Sequence, residues 1–144
     1  MANNRARGVK RFGVSMSLDL ARALERYRRS RGYRNRSAAL AEMVREQLVQ
    51  REWEAGRSQV VGTITIVYDH GTRELLDALT EVQHRFLGAI VCSTHVHLDE
   101  HHCLEVIVAR GLPARLKRIA DRLISTRGVK HGQLVCTTTG HSLA

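Results

Sequence analysis

The chain has 144 residues, 43% of them hydrophobic and only 4% aromatic, enough for one ordinary domain or two small ones with aliphatic cores. No stretch approaches the roughly 18 apolar residues of a membrane span, and the N-terminus lacks the apolar core of a secretory signal. Three cysteines, Cys92, Cys103 and Cys136, are an odd count that does not suit a disulfide scaffold, so a soluble, cytoplasmic protein is expected.

The charge is uneven. Residues 1–51 hold 13 Lys and Arg against 4 Asp and Glu, residues 52–144 hold 10 against 10, and the formal charge of +9 therefore sits in the first third. A basic module joined to a neutral one is expected when only one half meets a polyanion. Nucleic acid and an anionic membrane surface both qualify, and charge alone does not separate them.

Residues 1–10 read as a basic arm. Arg11 to Met16 alternates, with Phe12, Val14 and Met16 on one side and Arg11, Gly13 and Ser15 on the other, which predicts a strand with one buried face. Ser17 suits an N-cap, with Asp19 in the first turn. Leu20, Ala23, Leu24 and Tyr27 follow at helical spacing, and Gly32 can close the helix. Ser37 reads as the next N-cap, and Leu40, Met43, Val44, Gln47 and Leu48 mark the inner side of a second helix running to about Gln50.

One strand and two helices in about 40 residues cannot bury a core alone. The simplest partner for the strand is the same strand of another chain. Two such strands make an antiparallel ribbon, which the major groove of B-DNA admits. Arg11, Gly13 and Ser15 would then face base edges, and the helix start at Ser37, flanked by Arg34 and Arg36, suits a phosphate. Arg22, Arg26 and Arg29 read as an ordinary solvated helix face.

Residues 52–60 read as a linker with a lone Trp53. Residues 61–144 then form a second domain. Val60 to Tyr68 alternates as a strand. A helix follows with Leu75, Leu79, Val82 and Phe86 as its stripe, closed by Gly88. Val91–Leu98 and Cys103–Val108 read as two strands joined by a polar break that includes His101 and His102. Pro113 suits the first position of a helix lined by Leu116, Ile119, Ala120 and Leu123 and ended by Gly128, before a last strand from Val129 to Thr138. The class is α+β, and the order strand, helix, strand, strand, helix, strand is the ferredoxin-like βαββαβ pattern. The expectation is that Leu98, Leu104, Val106 and Val108 face the helices, with His95, His97, Cys103 and Glu105 on the opposite face.

His95 and His97 alternate along a strand and so share a face, and a hairpin returns Cys103 beside His97. His84 lies in the last turn of the preceding helix, off its apolar stripe; it is not expected to reach the His97 face within its own chain and could reach the same site on another chain. Three imidazoles and a thiolate suit zinc, copper(II) or nickel(II). Glu105 is placed to orient a ligand. A zinc hydrolase with an open water position and Glu100 or Glu105 as base is a competing reading, but a hydrolase has no need of the basic N-terminal module.

Arg11-Phe12-Gly13-Val14-Ser15 and Arg31-Gly32-Tyr33-Arg34-Asn35-Arg36-Ser37 give residues 11–51 a resemblance to the ribbon-helix-helix repressors. With Gln83-His84, His95-Val96-His97, Cys103-Leu104-Glu105 and Arg127-Gly128-Val129-Lys130-His131-Gly132, residues 11 to about 138 resemble the nickel-responsive transcriptional regulators. That resemblance implies no enzyme. It implies a repressor that binds operator DNA when Ni(II) is held by His95, His97 and Cys103 of one chain and His84 of a neighbour. It implies a homotetramer too, in which two ribbon-helix-helix dimers flank a core of four ACT-type domains. A regulator responsive to cobalt or zinc is the alternative. Ala38 stands where the family often has an acid, although Glu42 is kept, which weakens the case for an auxiliary cation site near Glu42.

Overall fold

The computed structural model describes residues 8–71 and 73–143. The first seven residues of the expected basic arm lie outside the described residues. The chain divides into two compact units between Met43 and Val44.

In the first unit, helix α1 (Leu18–Ser30) starts where Ser17 Oγ accepts the Leu20 amide at 3.3 Å. It ends at Gly32, whose φ of 73° reverses the chain. Helix α2 (Arg36–Ala55) is capped by Asn35, not by the expected Ser37: Asn35 Oδ1 accepts the Ala38 amide at 2.8 Å. Asn caps as well as Ser, and Asn35 is the first residue beyond the turn able to do so, which leaves Ser37 inside the first helical turn. The predicted strand over Arg11–Met16 is not formed in the single chain; Phe12 is 80% exposed there and Val14 is 55% exposed. A lone strand has no ladder for its amides and carbonyls, so its alternation goes unused. Beside it, Met16, Leu20, Ala23, Leu24, Tyr27, Leu40 and Met43 line an apolar groove of about 310 Å³.

Glu25 ties this unit together. Its Oε1 accepts from Arg28 Nε at 3.0 Å, Arg28 Nη2 at 2.6 Å and Arg29 Nε at 3.1 Å, and its Oε2 accepts from Arg36 Nε at 3.2 Å. Arg28 Nη1 also donates to the Tyr33 carbonyl at 2.8 Å, which staples the turn. The Arg28 bonds first, and then those from Arg36 and Arg29, lower the Glu25 pKa to about 2.

The second unit begins in α2, which runs on through Ala55, so much of the expected linker is helix. Trp53, read as part of that linker, is buried against Val60, Ala109 and Leu116, and its indole donates to the Thr137 carbonyl at 2.8 Å. Strands β1 (Val60–Asp69), β2 (Ile90–His97), β3 (His102–Gly111) and β4 (Val129–Thr137) form one antiparallel sheet in the order β2-β3-β1-β4. Helices α3 (Arg73–Arg85) and α4 (Pro113–Ile124) follow β1 and β3, which is the βαββαβ order. Leu75 and Leu79 of α3 and Ile119, Ala120 and Leu123 of α4 pack on Ile64, Ile66, Tyr68 and Ile107. Pro113 occupies the first turn of α4. Gly128, at φ 102°, turns the chain into β4 instead of ending α4.

The expected facing of β3 is reversed. Tyr68 pairs with Cys103, Ile66 with Glu105 and Ile64 with Ile107, and cross-strand partners share a face. Cys103, Glu105, Ile107 and Ala109 are therefore the buried, helix-side residues, while Leu104, Val106 and Val108 are half-buried on the open face. Both rows of β3 are largely apolar, so hydrophobicity did not identify the inner one; β1 decides it.

β4 crosses close over α4. A Cβ at Gly132 would lie 2.5 Å from Ile124 Cγ1 and 3.1 Å from Ile66 Cγ2. Gly132→Ala is expected to lose about 1–3 kcal/mol by overpacking, read as a lowered Tm of the full chain. An unchanged Tm would show that Ile124 moves aside without cost.

Candidate metal centre

The helices cover β1 and β3 but leave the edge strand β2 open: from Val91 to His97 every residue is exposed. His95 and His97 stand on the helix side of that strand, opposite Glu105 and Cys103 respectively. Exposed imidazoles thus meet a fully buried sulfur, since Cys103 is 0% exposed.

Cys103 Sγ lies 3.1 Å from His95 Nε2 and 3.3 Å from His97 Nδ1. The protons can be placed around it. Tyr68 has one hydroxyl hydrogen, donated to Glu105 Oε2 at 3.1 Å. Its oxygen therefore accepts from His95 Nδ1 at 3.1 Å. With Nδ1 protonated, His95 Nε2 presents its lone pair toward the sulfur. The other carboxylate oxygen, Glu105 Oε1, accepts from Gln83 Nε2 of α3 at 2.7 Å. Glu105 thus orients a donor through Tyr68, and with both oxygens engaged it is poorly placed to act as a base. Burial first, and then the negative charge of Glu105, raises the Tyr68 pKa, so the phenol stays protonated. Burial likewise raises the Cys103 thiol, followed by Asp69, Asp99 and Glu105. Binding a metal must displace that proton.

The donor spacing can be compared with a metal's needs. Bonds of about 2.0–2.1 Å to nitrogen and about 2.3 Å to sulfur put the two donors about 3.1 Å apart at a right angle and about 3.5 Å apart at the tetrahedral angle. The 3.1 Å from Cys103 to His95 matches the first and the 3.3 Å to His97 falls between the two, so the spacing is compatible with either geometry. Imidazole nitrogens and a cysteine sulfur are donors that suit a late first-row divalent ion such as zinc, copper(II) or nickel(II).

Sequence reasoning missed one candidate donor. His70, just past β1, offers a ring nitrogen so that its donor atom and those of His97 and Cys103 all lie within 4.8 Å of one another. Its Nε2 donates to the Glu100 carbonyl at 2.8 Å, which leaves Nδ1 as the lone-pair nitrogen. His70 lies far from His95 in sequence and belongs to no spaced motif. Only the β1–β3 register, which sets Asp69 opposite His102, brings it near.

Other candidates fall outside the cluster. His102 Nδ1 donates to Asp99 at 2.8 Å, and Lys130 Nζ donates to His102 Nε2 at 2.6 Å, so neither ring nitrogen is open. His84 is exposed in the last turn of α3. Its neighbour Gln83 points to Glu105, and successive helical residues diverge by about 100°, which directs His84 away from its own chain's donors. Arg11, Gly13 and Ser15 are exposed in the other unit.

Residues 61–137 match the sequence profile described as the NikR C-terminal nickel-binding domain. A protein of Pyrococcus furiosus is 48% identical over 94% of this chain and 99% of its own length. One of Thermococcus onnurineus is 50% identical over 94% and 98% respectively, and one of Geobacter metallireducens is 50% identical over 92% and 96%. All three carry the name "Putative nickel-responsive regulator". The chain belongs to the nickel-responsive regulator family. Its second unit has that family's ACT-like α+β fold. An uncharacterized protein of Thermotoga maritima superposes with a TM-score of 0.50 at 16% identity, over 55% of this chain and 98% of that one, and shares the fold. The relatives are named as regulators, not enzymes. No described helix is long and apolar enough to cross a membrane.

Tyr68→Phe tests the hydrogen-bond chain. It removes the acceptor that holds His95 Nδ1, and loss of such a partner to a ligand typically costs about 10–100-fold in metal affinity. Competition titration with a chelator should show that loss with the fold intact by circular dichroism. Unaltered affinity would mean that Tyr68 does not set the His95 tautomer.

Proposed function

We propose that the protein is a nickel-dependent transcriptional repressor that binds operator DNA through its basic first unit when Ni(II) occupies a site of His95, His97, Cys103 and the His84 of a neighbouring chain. The observation that carries this reading is the convergence of His95 Nε2 and His97 Nδ1 on Cys103 Sγ at 3.1 and 3.3 Å, within residues that match a nickel-binding family. Bound Ni(II) would supply a Lewis-acid centre joining donors of two chains. The chain's own residues do the rest: Tyr68 holds His95 in the ligating tautomer, and Gln83 anchors the end of α3 to Glu105.

In the first unit, the exposed apolar side chains of Phe12 and Val14 and the adjoining groove support pairing with a second copy. Two copies of Arg11–Met16 would form the antiparallel ribbon of a ribbon-helix-helix dimer, presenting Arg11, Gly13 and Ser15 to base edges. The charge of +9 confined to residues 1–51 supports a polyanionic partner for this unit. Two such dimers on a core of four regulatory units make the homotetramer. Ni(II) shared between chains restricts the arrangements of the two ribbons and favours the one that matches paired half-sites.

A gel-shift series with nickel and with chelator tests the whole reading, using duplexes selected from a random library by the nickel-loaded protein. Nickel should be required for tight, sequence-specific binding, and Cys103→Ser should abolish both that requirement's fulfilment and the sulfur-to-metal charge-transfer band. Specific binding of equal strength in chelator would rule out a nickel-dependent repressor. The cross-chain site has a separate check. His84→Ala and Cys103→Ser chains, each lacking a complete site, should regain some when exchanged into mixed oligomers; if mixtures verified by mass spectrometry recover none, His84 is not donated between chains.

A further inference from the structure

Glu25 is engaged by more guanidinium groups than a helix staple requires. Arg28 alone closes the turn: it spends Nε and Nη2 on Glu25 and Nη1 on the Tyr33 carbonyl, and its side chain is only 22% exposed. Arg29 and Arg36 behave differently. Each meets Glu25 through Nε, and their side chains are 74% and 71% exposed. A guanidinium held at Nε keeps its two Nη groups for another acceptor, and those form the edge that matches a phosphate bidentately. One carboxylate is also outnumbered by three guanidiniums, so the cluster keeps positive charge. Arg29 comes from the last turn of α1 and Arg36 from the first position of α2. The carboxylate therefore brings together two arginine forks from different helices. The depression of its pKa to about 2 means that it is ionised throughout the working range.

We propose that Glu25 is a positioning residue for DNA binding: it holds Arg29 and Arg36 by their Nε atoms so that their outer edges together clamp the phosphate backbone. The proposal rests on the DNA-binding reading above. Left untethered, two long exposed side chains would have to be ordered at the moment of binding, and advance ordering removes that cost. The clamp reads no bases. It contributes register and salt-dependent affinity, leaving sequence choice elsewhere.

The test turns on sign. Glu25→Gln removes a negative charge from a surface facing a polyanion, so Coulomb attraction alone predicts tighter binding. An amide offers an acceptor at one position only and cannot hold both Arg29 and Arg36, so positioning predicts weaker binding. Nickel-loaded full-length protein should be titrated with a mixed-sequence duplex and with a selected operator over a range of salt. The expected result is a several-fold loss on both duplexes, with the slope of log affinity against log salt shallower by about 1 per lost phosphate contact. Nickel affinity should not change. The loss should shrink when Arg36 is already Ala, as expected for residues acting as one unit. Tighter or unchanged binding by Glu25→Gln, or a loss just as large in the Arg36→Ala background, overturns the proposal. If Glu25→Gln fails to fold, Arg36→Lys decides the matter, because it keeps the charge and loses the fork: weakened binding with a shallower slope supports the clamp, and wild-type binding overturns it. Failure of the nickel-loaded wild type to bind any duplex would instead remove the repressor reading itself.

Discussion

A single buried carboxylate holds the candidate metal donors in register. Glu105 is the only charged residue buried among the described residues, at 7% exposure. Taking a carboxylate out of water is costly unless its oxygens are satisfied. Here one oxygen takes the Tyr68 hydroxyl and the other takes the Gln83 amide, so β1, α3 and β3 meet at one residue. A hydrogen bond to a charged group contributes about 1.5–3 kcal/mol, which is enough to fix the two donors in place. Once the Tyr68 proton points to Glu105, its oxygen must accept from His95, and the His95 lone pair must face Cys103. The donor geometry is thus a consequence of satisfying a buried charge.

The second constraint is the position of β2 at the sheet edge. Helices cover β1 and β3, and the strand beyond them is exposed from Val91 onward. Edge strands are usually protected against unwanted pairing, and this one carries Ser93, Thr94, His95 and His97. The same openness gives an ion access to two imidazoles, while the sulfur stays under cover on β3. Burial raises the Cys103 thiol and keeps it protonated and unreactive in the absence of metal. The exposed nitrogens and the buried sulfur together favour an occupant able to displace a proton from the thiol.

Much of this was legible in the residues. The βαββαβ order, both helix stripes, the hairpin pairing of His97 with Cys103 and the place of His84 at a helix end all follow from periodicities of 2 and 3.6. The inner face of β3 did not, because Cys103, Ile107 and Ala109 are no more apolar than Leu104, Val106 and Val108; the difference lies in the pairing with β1, which is not local. His70 was missed for the same reason, since its proximity is a register effect. Trp53 was read as linker because nothing adjacent to it in sequence signals the core it enters. The Arg11–Met16 strand shows the converse case: its alternation is clear, but a single chain has no partner with which to form the ladder.

The sequence Gln83-His84 couples these constraints to the helix that carries it. Adjacent helical residues diverge by about 100°, so a helix end that turns Gln83 inward to Glu105 must turn His84 outward. The inward residue ties α3 to its own hairpin, and the outward one is available to a neighbour. Any pull on His84 is therefore exerted on the same helix end that supports Glu105, Tyr68 and His95. In the proposed tetramer, filling a site shared between chains would stiffen the donor hairpin of one chain and the α3 anchor of the other together. Binding at the shared site and the arrangement of the chains then become linked equilibria. Linkage is reciprocal: in the proposed repressor, whatever arrangement DNA selected among the first units would act back on the donors by the same free energy with which the metal acted on DNA binding. A sensor built this way needs no contact between its two sites, only that both select the same arrangement of chains.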